Sequence, residues 1–296
     1  MVPSEILHRV SNLLGGPVEP VSFPSGGYTP ALRFVVARGE STFFVKVGVT
    51  EMTAAQLRVE IDNYHILKGS FVPELIAFDR DSDPPIMVIE DLSSATWPPP
   101  WTDDLVDKVV ETIDELHQSD NHPKPLEWEP DDPADPFGGV ADNWRGIAAA
   151  PEEFLSTGVA TKAWLDHALP SLIAAEDMVS WTSENTFCHY DLRSDNLCIT
   201  NRGVKFVDWN FCCHGNPQLD LGFFLPSLQF EGGPSPETIL PGAPEVAATV
   251  AGFMALRAGQ PIIPDAPRVR VVQYQQLTTA LPWAARVLDL LPPDLL

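Results

Sequence analysis

The sequence predicts an α+β fold in two lobes, a small N-terminal antiparallel sheet with one main helix and a larger, mostly helical C-terminal lobe. Three observations carry that prediction. Strand-like alternation broken by turn residues dominates the first ninety positions, a proline- and tryptophan-rich stretch (SSATWPPPWT, residues 93–102) interrupts it, and helical periodicity dominates the rest of the chain. The lobes are assigned as residues 1–91 and 92–296.

Taken in order, MVPSEILHRVSNLLGG reads as a short helix. VEPVSF (18–23), the glycine turn PSGGYTP (24–30) and ALRFVVARGESTFFVKVG (31–48) read as strands, the last folding into a hairpin at Gly39-Glu40. In TAAQLRVEIDNYHILKGS, Leu57, Ile61, Tyr64 and Leu67 recur at helical spacing and Gly69 closes the segment. ELIAFDRDSDPPIMVIEDL supplies two more strands around an Asp/Pro turn. Beyond the linker, Thr102-Asp103-Asp104 starts a helix that runs to His117. Residues 120–143, rich in proline and acid, read as an extended surface insertion. Helices come next around 151–178, then short strands at 186–189, 197–200 and 204–207. PEVAATVAGFMALRAG and APRVRVVQYQQLTTALPWAARVLDLL are the clearest closing helices.

Eighteen basic against forty-one acidic side chains give a net charge of −23, which repels nucleic acid and anionic lipid. Such a field suits a cationic substrate, although an acidic surface that merely keeps the chain soluble has the same composition. No apolar run approaches the roughly 18 residues that would span a bilayer. The first residues lack the basic and long apolar regions of a signal peptide, so the expected location is the cytoplasm. Cys188, Cys198, Cys212 and Cys213 fit small buried hydrophobes in a reducing compartment better than a zinc site.

Several polar residues stand where a purely structural chain would avoid them. Lys46 lies within the strand TFFVKVG, and Glu60 borders the apolar stripe Leu57, Ile61 and Tyr64 of the next helix. Separately, a snorkelling lysine and a solvated carboxylate would account for them; together they suggest an ion pair between strand and helix. CHYDLRSDNLCIT (188–200) packs His189, Asp191, Arg193, Asp195 and Asn196 into one turn. Asp208 comes twelve residues after Asn196 across an expected hairpin, which would bring both side chains to one mouth. Asn and Asp together form an all-oxygen pair suited to Mg²⁺, and Asp191 could accept a proton from a hydroxyl; a turn cap is the plainer alternative for Asp208.

His189-x-Asp191-x-x-x-x-Asn196, with Asp208-Trp209 downstream, resembles the catalytic and metal loops of the aminoglycoside phosphotransferase family, in the protein-kinase-like superfamily. The upstream order Ser25-Gly26-Gly27, Lys46, Glu60 and MVIEDL is similar too, over roughly residues 20–225. The resemblance implies a bilobal protein-kinase-like fold that uses ATP, with GTP as the alternative nucleotide, and Mg²⁺. By that resemblance, Lys46 would hold the nucleotide phosphates, oriented by Glu60 and roofed by the Ser25-Gly26-Gly27 turn. The backbone around Glu90 and Leu92 would meet the base, and Asn196 and Asp208 would hold the metal. Asp191 would act as the base, while His189 and Asp220 would support the loop.

Tyr190 departs from the glycine usual in the family, and Arg193 stands where protein kinases carry a lysine facing the transferred phosphate. Arg193 is expected to neutralise γ-phosphate charge, a structural pairing being the alternative. The expected acceptor is a small cationic hydroxyl compound: an aminoglycoside or other antibiotic, an amino sugar or an amino alcohol. Glu127, Glu129, Asp131, Asp132, Asp135 and Asp142 would attract it, and Trp128, Trp144 and Trp164 could stack on it; a solvated acidic loop and core tryptophans are the alternatives. A protein kinase and a nucleotide-binding pseudokinase are the competing readings. The absence of an A-P-E-like element after Asp208 opposes the first, and the intact set of polar residues opposes the second.

Overall fold

The computed structural model describes residues 2–24, 26–121, 142–181 and 186–293. Helix α1 (Ser4–Leu13) leads into strands β1 (Glu19–Ser22), β2 (Leu32–Arg38) and β3 (Ser41–Val47), then helix α2 (Glu51–Tyr64), β4 (Leu75–Asp79) and β5 (Ile86–Glu90). The five strands form one antiparallel sheet in the order β1-β2-β3-β5-β4. The turn at Gly39 (φ +60) fixes the β2–β3 register, so that Arg33 lies opposite Lys46 and Val35 opposite Phe44.

Alternation then sorts the side chains. Phe34, Val36, Val45 and Val47 face α1, packing with Ile6 and Val10. Phe44 and Lys46 take the opposite face, toward the rest of the molecule. Helix α2 begins with a capping box between Thr50 and Thr53. Its Leu57, Ile61 and Tyr64 pack with Met87 and Ile89 of β5, and burying a side chain of this size contributes about 1.5–3 kcal/mol.

The second lobe starts with α3 (Asp103–His117), capped by the Thr102 side chain. The helices α4 (Asn143–Ala149), α5 (Glu152–Ser156) and α6 (Lys162–Glu176) come next. β6 (Thr186–Cys188) precedes the hairpin of β7 (Leu197–Thr200) and β8 (Gly203–Phe206), and pairs with β9 (Cys213–Gly215). The remaining helices are α7 (Pro217–Phe230), α8 (Pro236–Ile239), α9 (Pro244–Ala258) and α10 (Arg268–Val287). Helix α9 is apolar nearly all round and buries Val246, Ala247, Val250, Ala251 and Ala255, which makes it the axis against which α4, α6, α7 and α10 pack.

The linker and the small lobe are both fastened to the β7–β8 hairpin. Thr96 forms a bridge with Ile199 of β7. The Glu90 carboxylate accepts from the Glu74 N–H at 3.1 Å and pairs with Arg202 and, at 3.5 Å, with Lys205. Among the described residues no helix is long and apolar enough to cross a membrane. Trp144 and Trp164 are fully buried, donating Nε1 to the Ala248 carbonyl at 2.8 Å and the Leu291 carbonyl at 2.7 Å. The expectation that they stack on an acceptor is therefore corrected: both complete the helical core. Trp128 lies outside the described residues.

Gly259, just past α9, sits so closely against α5 that an added Cβ would lie 1.8 Å from the Glu153 carbonyl oxygen. Gly259→Ala is expected to destabilise the protein by about 1–3 kcal/mol through that backbone clash. Thermal denaturation checks it: an unchanged midpoint would mean that the α5 turn yields freely.

Candidate active site

The segment after β6 hangs from one buried carboxylate. Asp220, in the first turn of α7 and 0% exposed, accepts the His189 N–H at 2.9 Å and the Tyr190 N–H at 2.7 Å, and meets His117 Nε2 at 3.0 Å. Two backbone donors aimed at one carboxylate fix the loop's entry. His189 fixes the next step. Its Nδ1 accepts the Asp191 N–H at 3.2 Å, which leaves Nε2–H to donate to the Val207 carbonyl at 3.0 Å. Burial lowers the His189 pKa, in keeping with a neutral ring that braces the loop.

Tyr190 adopts a left-handed backbone (φ +60), which explains why glycine would be at ease there. The strain is offset by its side chain. The ring packs among Trp181 and Phe223, and the hydroxyl accepts the Asn216 N–H at 2.8 Å.

Beyond Tyr190 the loop turns its polar groups outward. Asn196 Nδ2 donates to the Asp191 carbonyl at 2.7 Å and to Asp191 Oδ2 at 2.9 Å. With its amide nitrogen so engaged, the side-chain oxygen is the group by which Asn196 could hold a cation. Arg193 pairs with Asp191 Oδ1 and with Asp195 at 3.0 Å. Burial pushes the Asp191 carboxyl up to about 7, against the pull of Arg193.

Hydrogen bonding across the β7–β8 hairpin, with the Val207 N–H donating to the Asn196 carbonyl at 2.9 Å, sets Asn196 beside Asp208. Asp208 also has a left-handed backbone (φ +69), a conformation that aspartate tolerates better than most residues. Lys46 Nζ lies 2.5 Å from Asp208 Oδ1 and 2.6 Å from Glu60 Oε2. Burial works against ionisation of Asp208, but the Lys46 ammonium prevails and holds its carboxyl at about 2. Burial raises the pKa of Glu60, which is only 2% exposed, with Lys46 opposing.

Two cavities meet at this ion pair. One, of about 560 Å³, is lined by Gly26, Gly27, Lys46, Glu60, Glu90, Leu92, Asn196 and Asp208. The other, of about 530 Å³, shares Gly27, Lys46 and Asp208 and adds Tyr190, Asp191 and Arg193. His189 and Asp220 line neither and act from behind. Ser25 lies outside the described residues. The Asp208 carboxylate and the Asn196 oxygen open onto the first cavity as hard oxygen donors, a set that fits Mg²⁺ beside phosphate.

Some of the site escaped the sequence reading. Arg33 lines the first cavity opposite Lys46 and grips the glycine turn through the carbonyls of Thr29 (3.0 Å) and Ala31 (3.1 Å). A Cβ on Gly27 (φ +83) would come within 2.6 Å of its guanidinium carbon. Tyr28 lies between two arginines, its ring centre 5.3 Å from Arg193 and 5.1 Å from Arg268. Asp142 pairs with Arg145 at 2.8 Å and lines neither cavity, so it does not attract an acceptor there; Glu127, Glu129, Asp131, Asp132 and Asp135 lie outside the described residues.

A model of the phosphotransferase enzyme family matches residues 20–252. No curated protein sequence matches the chain closely. Among solved structures, a choline kinase from Streptococcus pneumoniae is similar over 96% of this chain and 98% of its own, at 18% identity and a TM-score of 0.59, and has also been solved with AMP. A choline/ethanolamine kinase family protein from Mesorhizobium loti is similar over 97% of each chain, at 16% identity and a TM-score of 0.60. A spectinomycin phosphotransferase in complex with ADP and spectinomycin is similar over 98% of this chain and 99% of its own, at 10% identity and a TM-score of 0.56. At such identities the likeness speaks for the fold, which is protein-kinase-like.

Tyr190→Phe keeps the ring but strips the Asn216 N–H of its acceptor. The variant is expected to lose about 1–3 kcal/mol of stability, read by urea denaturation. Wild-type stability in Tyr190→Phe would show that the hydroxyl does not hold the loop.

Proposed function

The chain belongs to the phosphotransferase enzyme family and is a small-molecule kinase; from that premise we propose that it moves the γ-phosphoryl group of ATP, with Mg²⁺, to a hydroxyl of a small acceptor. One observation carries the reading. Lys46 joins Glu60 and Asp208 where the two cavities meet, and Asp191 borders only the second. A nucleotide in the first cavity and an acceptor in the second would face each other across that ion pair.

The assignments rest on which groups remain free to act. Leu92 has its carbonyl taken by the Ala95 N–H at 3.0 Å and by Trp97 Nε1 at 3.2 Å, so its N–H is the group offered to a base. The Glu90 N–H is taken by the Glu74 carbonyl at 3.0 Å, so Glu90 offers its carbonyl. Lys46, oriented by Glu60, balances phosphate charge, and Arg33 adds a second cation on the same side. Asn196 and Asp208 would hold Mg²⁺, which supplies charge neutralisation at the phosphates.

The acceptor hydroxyl attacks phosphorus, its proton passes to Asp191, and the bond to the bridging oxygen breaks with its electron pair leaving on ADP. Asn196 keeps one Asp191 oxygen pointed and Arg193 holds the other. Arg193 is thereby assigned first to Asp191 and Asp195; contact with the γ-phosphate requires that pairing to loosen. The protein's contribution is mainly position and charge, as phosphoryl transfer requires.

The test is coupled ADP release with MgATP across a panel of hydroxyl compounds, with phosphorylated products identified by mass. Asp191→Asn should lower kcat by roughly 10²–10⁴-fold while leaving MgATP affinity within a few-fold of wild type. Full turnover in Asp191→Asn would remove it as the proton acceptor, and failure to bind MgATP at all would defeat the reading.

A further inference from the structure

The two ends of the second cavity differ in charge. At the reacting end every carboxylate has a cation: Asp191 and Asp195 share Arg193, and Asp208 has Lys46. The far wall is built from α9 and α10. Phe253, Met254 and Leu256 make it apolar, and Gln260 and Gln273 place amides around Arg270. No carboxylate among the described residues lines that wall.

Arg270 is held without being neutralised. Nη1 donates to Gln273 Oε1 at 2.8 Å, Nη2 to Gln260 Oε1 at 2.8 Å, and Nε to the Pro261 carbonyl at 3.3 Å. All three acceptors are uncharged. They occupy three of the five guanidinium N–H groups and leave one on each terminal nitrogen for a ligand. Burial lowers the Arg270 pKa, with the Glu153 charge opposing it.

The placement on α10 points the same way. Arg268 and Arg270 both fall in the first turn of a 20-residue helix that has no acidic residue in that turn and no side-chain cap. The helix dipole disfavours cations at this end, and a bound anion reverses the penalty. Arg268 is engaged with the Tyr28 ring, whereas Arg270 faces the cavity.

We propose that the acceptor carries a carboxylate, seated on Arg270 at the far wall, with an apolar body reaching its hydroxyl toward Asp191. This rests on the phosphotransferase reading, because the cavity belongs to the acceptor only if Asp191 receives its proton. It reverses the cationic acceptor expected from the net charge of −23. That field is screened over a Debye length in solution, whereas a ligand inside the cavity meets the local charges directly.

Calorimetric titration in the presence of MgADP tests the inference with matched hydroxylated aromatics: 4-hydroxyphenylacetate, 4-hydroxyphenylacetamide and tyramine. The carboxylate is expected to bind at least tenfold more tightly than the amide or the amine. Arg270→Gln should erase that order, and Arg270→Lys should restore part of it, which separates lost charge from lost structure. Tyramine binding as well as the carboxylate, no binding of the carboxylate to the nucleotide-bound protein, or an order that survives Arg270→Gln would overturn the inference. The kinase reading would stand in each case, since MgADP binding and ADP release across the hydroxyl panel test it separately.

Discussion

One ammonium shared by two carboxylates organises this molecule. Lys46 arrives on a strand, Glu60 on the next helix, and Asp208 from the far lobe, 162 positions away in the chain. Buried pairs of this kind add little net stability, because desolvating the charges consumes most of what their attraction returns. Their value here is positional. With Lys46 held at 2.5–2.6 Å from both partners, the small lobe's sheet is registered against the β7–β8 hairpin, and the two cavities acquire a common border.

The loop that completes the site is held from behind by a different device. Asp220 gathers two consecutive backbone N–H groups, and neutral His189 stitches the next residue to Val207. Tyr190 and Asp208 both take left-handed backbones, and such strain persists only where the surroundings dictate it. The dictating contacts are identifiable: the tyrosine hydroxyl on Asn216 in one case, the lysine pair in the other. The loop's entry is thus set by buried groups, Asp220 and His189, that line neither cavity.

Much of this was legible in the chain because it stems from local periodicity. Strand alternation set Lys46 on the face opposite Val45 and Val47, and helical spacing set Glu60 beside Leu57 and Ile61. The same hairpin arithmetic that places Val35 opposite Phe44 also places Arg33 opposite Lys46, so that arginine is legible in the strand pattern too. Helix α7 was harder. Gly222 and Pro226 lie within it and its sides are nearly uniformly buried, which removes the amphipathic signal. The sequence left both a core and a stacking role open for Trp144 and Trp164, because an indole's burial depends on partners such as Ala248 and Leu291, more than a hundred positions away. The charge state of the far cavity wall depends on how α9 meets α10, and no local pattern records that packing.

The left-handed backbone at Asp208 has a further consequence. Only glycine, asparagine and aspartate adopt that conformation readily, so the polypeptide's shape already restricts what can stand there. Exchanging one carboxylate oxygen for an amide nitrogen leaves that restriction satisfied while removing the charge. Backbone shape and charge are therefore separate demands at this residue: an amide there would keep the turn while leaving Lys46 to Glu60.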